Sequence, residues 1–319
     1  MKLGFVSDSL GGSPFEEMLD HAARLGVSGV EVNTGGWSTA PHFDLAAMKS
    51  DAGARKAFLA AFDSRGLEVI SLNANGNPLH PTDPAQGECL RDTIRVAGEL
   101  GVRTVCTMSG LPAGRAGDLM PNWVISSWPP ETREILRYQW EDVLLPFWTE
   151  TAALARECGV EKIALELHGN QCVYNVPSLK RLREAVGPVI GANLDPSHLF
   201  WMGADPLTAA EALGDAIHHV HAKDTMLNAP VQATTSLLEN GSLMDIPSRS
   251  WSYITLGFGH GEEWWRQFCY RLRMAGYDGW LSIEHEDVML NSLEGLRKSV
   301  DLLRGVMPVD ASDYAPQAI

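Results

Sequence analysis

The chain has 319 residues, 45% of them hydrophobic, and a formal net charge of −15. That length and composition allow one large buried core, and the acidic balance excludes a general grip on nucleic-acid phosphates. No run is apolar and long enough to span a bilayer, and Met1 leads directly into Leu3-Gly4-Phe5-Val6 without a signal-type segment, so a soluble cytoplasmic protein is expected.

Eight short apolar, β-prone runs follow one another along the chain. They are Lys2 to Val6, Gly29 to Val32, Glu68 to Leu72, Thr104 to Met108, Ile163 to Leu167, Ile190 to Leu194, Ile217 to His221 and Trp280 to Ile283. Amphipathic stretches separate them. The first helix is expected to start at Ser13-Pro14, to carry Phe15, Met18, Leu19, Ala22 and Leu25 on one face, and to stop at Gly26. The same helix-glycine-strand punctuation recurs at Leu100-Gly101-Val102, Cys158-Gly159-Val160 and Ala275-Gly276-Tyr277. This alternation predicts an α/β fold, a single (β/α)8 TIM barrel over residues 1–319 with no domain boundary.

Three connections after strands are long: Asn75 to Gln86, Ser109 to Glu131 and Thr225 to Gly261. In such a barrel they belong to the C-terminal face, where active sites lie. They carry His80, Trp123, Trp128, Trp251, Tyr253 and His260. His80, Trp123, Trp251 and His260 are candidates for contact with a sugar ring, against the plainer expectation that loop aromatics pack on the barrel rim. Gly257-x-Gly259-x-Gly261 lacks the strand-turn-helix setting of a dinucleotide site and reads as loop flexibility. The helical stretch Glu131 to Glu157, with Trp140, Leu144, Leu145, Phe147 and Trp148, can bury either a barrel face or an oligomer contact. A homo-oligomer is expected, and a small accessory subunit is compatible. The five cysteines are scattered without a C-x-x-C pair and read as unpaired thiols.

Four segments place an acid or a histidine at or just past a predicted strand: Leu165-Glu166-Leu167-His168, Leu194-Asp195-Pro196-Ser197-His198, His219-Val220-His221-Ala222-Lys223-Asp224 and Ser282-Ile283-Glu284-His285. Side chains two apart on a strand share a face, so Glu166 pairs with His168 and His219 with His221. Glu166, Asp195, His221 and Glu284 can then converge as ligands of one divalent ion. Three carboxylates and one imidazole suit Mn²⁺ best, or Mg²⁺ or Co²⁺, rather than a structural zinc. Taken singly, Asp195 could instead cap the helix opened by Pro196-Ser197, Glu284 could pair with a surface cation, and His218 and His285 read as rim histidines.

This succession of residues resembles the sugar phosphate isomerase/epimerase superfamily with a xylose isomerase-like TIM barrel, over essentially the whole chain. The resemblance to ketohexose 3-epimerases implies one metal on Glu166, Asp195, His221 and Glu284, an acid/base pair in Glu166 and Glu284, and a substrate contact at His198. It is broken where those epimerases carry an arginine six residues past the metal histidine, because Leu227 stands there. His168, the Gly76-Asn77-Pro78-Leu79-His80-Pro81 segment and the long loop after strand seven also resemble inosose dehydratases, keto-sugar eliminases and the larger subunit of C-glycoside deglycosidases.

The chemistry shared by these branches is removal of a proton next to a carbonyl, with the enediolate stabilised by the metal. Return of the proton gives isomerisation or epimerisation of a sugar. Loss of a β-substituent gives elimination from a keto-sugar, for which His168 is the better base. Lys223 and Arg249 could meet a phosphate if the substrate carries one. Two other classes fit less well: an endonuclease-IV-like repair enzyme, which needs a basic groove, and a non-catalytic sugar-binding barrel.

Overall fold

A computed structural model describes residues 1–314. Seven strands, β1 (Lys2–Val6), β2 (Gly29–Asn33), β3 (Glu68–Ala74), β4 (Thr104–Thr107), β5 (Lys162–Glu166), β6 (Ile190–Leu194) and β7 (Ile217–Ala222), are followed by a two-stranded antiparallel hairpin, β8 (Asp224–Leu227) with β9 (Trp251–Ile254). The last strand is β10 (Trp280–Ile283). Apart from the hairpin, all strands pair in parallel and close in the order β1-β10-β7-β6-β5-β4-β3-β2. The eight barrel strands are those read from the sequence, with ends within two residues. The chain is therefore a single eight-stranded parallel barrel ringed by helices.

Glycine ends helices as the punctuation implies. After the helix Phe15–Leu25, Gly26 takes the left-handed conformation at φ 67°, and Gly101, Gly159 and Gly276 do the same. Ser13 is not the cap expected of it: the residue before the helix is Pro14, whose carbonyl receives the Met18 N–H at 2.9 Å. The apolar core lies between barrel and helices, where Trp148, Trp265, Phe268, Leu90 and Ile94 are fully buried. Each such side chain contributes roughly 1.5–3 kcal/mol relative to exposure.

The Glu131–Glu157 stretch is one continuous helix with a π-helical segment, Tyr138–Leu144. There both Gln139 and Trp140 are buried, although neighbours on a regular helix diverge. Trp140, Leu144 and Trp148 bury against this chain's own core. Gln139 uses its amide to bond the carbonyls of Asn122, Pro112 and Ala113, at 2.6, 3.2 and 3.3 Å, and so anchors the long loop after β4. All five cysteines are free thiols. No helix among the described residues is long and apolar enough to cross a membrane.

Candidate functional site

The barrel interior is polar rather than filled with aliphatic side chains. Glu31 on β2 accepts from His219 Nε2 at 2.6 Å and from His221 Nε2 at 3.0 Å, and Asn73 on β3 donates to it at 2.7 Å. Strands β2 and β7 are not neighbours, so these side chains meet across the barrel lumen. Glu31 was not singled out from the sequence. The signal was present: a charged residue in the apolar run Gly29-Val30-Glu31-Val32, in a strand buried throughout. Burial pushes its carboxyl up, but the charges of His221 and His219 outweigh this and hold it well below the usual carboxylate range.

One layer nearer the C-terminal face, Glu166 (β5), Asp195 (after β6), His221 (β7) and Glu284 (after β10) bring one ligand atom each within 4.8 Å of one another. His221 Nδ1 stands 3.2 Å from Glu166 Oε2 and 3.4 Å from Glu284 Oε2. Asp195 caps a helix, as the sequence allowed, while keeping one oxygen free. Its Oδ1 accepts from Ser197 N at 2.7 Å and caps the helix Pro196–Trp201, leaving Oδ2 to face the cluster. Glu284 is drawn to a cation, as weighed from the sequence, but the cation is the buried Lys223 at 3.0 Å, which also reaches Glu286 at 2.5 Å.

A divalent ion fits this donor set. Asp195 Oδ2 and His221 Nδ1 are buried and have no hydrogen-bond partner among the described residues. Burial, reinforced by the Glu166 and Glu284 charges against the pull of Lys223, raises Asp195 to about 8, a strain that a cation would relieve. Burial also works against Glu284, yet Lys223 and His221 bring it down to about 2. With His221 Nε2–H donating to Glu31, its Nδ1 is the nitrogen left for an ion, the arrangement of a carboxylate-histidine-metal triad.

A cavity of about 220 Å³ opens over the cluster, lined by Glu166, Glu284, His168, His198, Lys223 and, among others, Trp37 and Tyr253. His168 places Nδ1 against the carbonyl of Gly169, which can only accept, so Nδ1 carries a ring proton. His198 Nδ1 receives Tyr253 Oη at 3.0 Å and Trp201 Nε1 at 3.5 Å. Its Nε2 points between Glu166 Oε1 at 2.9 Å and Asp195 Oδ2 at 3.4 Å. Asn75 donates to Glu166 Oε2 at 2.7 Å.

The other four substrate candidates do not line this cavity. His80 bonds the Thr82 amide on its own loop, and Trp123 packs edge-on against Tyr174. Trp251 stacks on Trp201 with ring centres 4.9 Å apart and donates to Leu237 O. His260 stacks on Phe200 at 3.7 Å and bonds Asp224 Oδ1 at 2.7 Å. Each is spent on loop packing, the plainer expectation for loop aromatics. Arg249 likewise pairs with Glu239 and lies over Trp251. The glycines after β9 are not loose: Asp224 Oδ2 accepts from the amides of Gly257, Gly259 and His260, at 3.2, 3.3 and 2.9 Å. Of the rim histidines, His218 lies against Gly191, and His285 faces Thr255.

Comparison with known proteins agrees with this architecture. Residues 19–306 match the model of the xylose isomerase-like TIM barrel family. The Bacillus subtilis (strain 168) protein YfiH is 47% identical over 310 residues, covering 95% of this chain and 98% of its own. Among solved structures, the IolI protein with a bound zinc atom superposes with a TM-score of 0.66 at 18% identity, covering 96% of this chain and 99% of that one. The D-allulose 3-epimerase of Methylomonas sp. gives 0.61 at 16% identity, covering 96% and 98%. With its closed barrel and a family match over most of its length, the chain belongs to the xylose isomerase-like TIM barrel family.

Proposed function

We propose that the protein is a divalent-metal-dependent sugar isomerase or epimerase that removes a proton from the carbon beside a carbonyl. The observation that carries this reading is the convergence of Glu166, Asp195, His221 and Glu284 from four consecutive barrel strands, with two buried ligand atoms left unpartnered beneath a sugar-sized cavity. The D-allulose 3-epimerase of the same fold supports it. Glu166, Asp195, His221 and Glu284 would hold the ion, Mn²⁺ by the hardness of the donor set. When bound, it supplies Lewis acidity to the substrate's carbonyl and neighbouring hydroxyl oxygens.

The chain's own residues handle the proton. Glu166 is fixed by Asn75, and Glu284 by Lys223, so two ionised carboxylates border the cavity in set positions. One takes the proton and the other returns it, on the opposite face for epimerisation or to the adjacent carbon for isomerisation. Lys223 offers a positive charge to a substrate oxygen. His198, whose imidazole burial pushes down to about 3, offers a ring N–H.

The metal-loaded protein, incubated in D₂O with a panel of free, phosphorylated and 3-keto sugars, should place deuterium at the carbon next to the carbonyl of its substrate, read by NMR. Absence of exchange across the whole panel in fully loaded protein would refute the reading.

A second reading is favoured by one observation, the place of His168 in the cavity wall with its Nδ1 held by the Gly169 carbonyl. In it the other ring nitrogen of His168 takes the proton from a keto-sugar or inosose and hands it to the departing β-hydroxyl, which leaves as water, as in a carbon–oxygen lyase.

A further inference from the structure

The cavity over the carboxylate cluster carries an uneven charge. Besides Glu166 and Glu284, two more acids line it, Asp8 from the segment after β1 and Glu286 from the segment after β10, and neither belongs to the ligand set. Both are exposed, so they stand where a substrate enters from solvent. Against these four carboxylates the wall sets one lysine and, among the described residues, no arginine. That lysine, Lys223, is only 3% exposed and lies 3.0 Å from Glu284 Oε2 and 2.5 Å from Glu286 Oε2. Two of its three N–H groups are thereby engaged, which leaves one for a substrate oxygen while its charge is already matched. Arg249, the other cation considered for a phosphate, lies outside this wall and pairs with Glu239 at 2.6 Å. The charges acting on Asp8 are those of His42 and Glu284. Burial, the largest influence, raises its carboxyl, and Glu284 adds to this against a Ser38 hydrogen bond and His42.

We propose that Asp8 and Glu286 are specificity-determining residues, a charge filter that admits unphosphorylated sugars to the cavity and turns away phosphorylated ones. The proposal rests on the isomerase or epimerase reading of this cavity and adds to it the class of sugar. A phosphate group carries a charge of about −1.5 to −2 at neutral pH. Sites that bind one supply arginine, lysine or free backbone amides, whereas here it would meet carboxylates first. A divalent ion does not reverse this balance: it offsets two negative charges, but its fourth ligand Asp195 contributes another, and the loaded cavity stays acidic. The uncharged polar side chains of Asn33, Ser38 and Asn75 in the same wall suit hydroxyl groups.

D-Fructose, D-tagatose and D-allulose, each against its own 6-phosphate, serve as probes of the Mg²⁺-loaded full-length protein, with dissociation constants read by saturation-transfer NMR. Each free sugar should bind at least about tenfold more tightly than its phosphate, and the gap should narrow as salt is raised. Asp8→Asn and Glu286→Gln each remove one charge at nearly constant shape, and each should bring the two constants closer by about threefold or more. Equal or tighter binding of the phosphates, a ratio unchanged in both variants, or failure of every free sugar to bind overturns the proposal. Deuterium exchange into the same probes separates the filter from the reaction. Free sugars that bind with the stated preference but take up no deuterium would sink the isomerase reading and support the filter. A 6-phosphate that exchanges as fast as its free sugar would do the reverse.

Discussion

Tyr253 Oη lies 3.0 Å from His198 Nδ1 and ties the hairpin strand β9 to the segment after β6. Because Trp201 Nε1, which can only donate, aims at the same nitrogen, Nδ1 is the acceptor and Nε2 carries the proton toward Glu166 and Asp195. Burial raises the Tyr253 hydroxyl and keeps it a donor. Tyr253→Phe should release this tautomer. In ¹⁵N NMR the His198 nitrogens should show mixed tautomers, and turnover should fall about tenfold with metal content unchanged. A single unaltered tautomer in the variant would show that Trp201 alone suffices.

Glu284→Gln keeps the side-chain volume while removing one anionic ligand and the partner of Lys223. Affinity for Mn²⁺ should drop by at least about tenfold. Elemental analysis and calorimetric titration read this directly, and unchanged metal content would remove Glu284 from the ligand set.

Glu31 lies below the cluster of Glu166, Asp195, His221 and Glu284 and fixes His221 through Nε2. Its replacement by Gln should lower metal affinity about 10–100-fold, the range found when a carboxylate behind a ligating histidine is lost. Wild-type affinity in Glu31→Gln would reduce Glu31 to a structural partner of His219.

His168→Asn separates the two catalytic readings. For an isomerase or epimerase working through Glu166 and Glu284, turnover should fall modestly, with solvent deuterium still entering the substrate. For an eliminase, loss of the Nε2 base should cost roughly two to four orders of magnitude in kcat with metal retained.

His218 supplies a pH dependence away from the ligands. A side chain at Gly191 would meet its ring at 2.3 Å, so that glycine makes room for it. Burial first, then the charges of Arg183 and Lys162, lower the imidazole from 6.5 to about 4. The unfolded chain therefore binds this proton before the folded one. The stabilisation is complete above about pH 6.5 and is lost as pH falls toward 4, on the order of 2–3 kcal/mol. Urea melts at about pH 7.5 and 4.5 should show His218→Gln less acid-sensitive than the natural chain; an equally steep loss in both assigns the acid sensitivity to other groups.

The barrel was legible because each strand is a short apolar run and each helix ends on a left-handed glycine, two local signals that tertiary contacts did not override. The convergence of Glu166, Asp195, His221 and Glu284 followed from their common place at strand ends. The hairpin was not legible, since Asp224–Leu227 and Trp251–Ile254 are four residues each and pair only across a long irregular excursion. Nor could composition tell which loop aromatics face the cavity. Tyr253 and Trp37 do, whereas Trp251 and Trp123 turn toward other rings. Glu31 was hidden for a related reason: its partners lie on a strand almost two hundred positions away.

Asp224 is fully buried, and it receives the Thr225 amide at 2.8 Å as well as the amides of Gly257, Gly259 and His260. The chain thus departs from and returns to a single carboxylate. Beyond the hairpin that holds Tyr253 in place, residues 228–250, including the exposed stretch around Leu238, Leu243 and Met244, form a closed excursion that lines no part of the cavity over the cluster. Because closing a longer loop costs little extra, this appendix can be shortened, extended or exchanged as a cassette, changing what covers the barrel mouth while the chemistry beneath keeps its register.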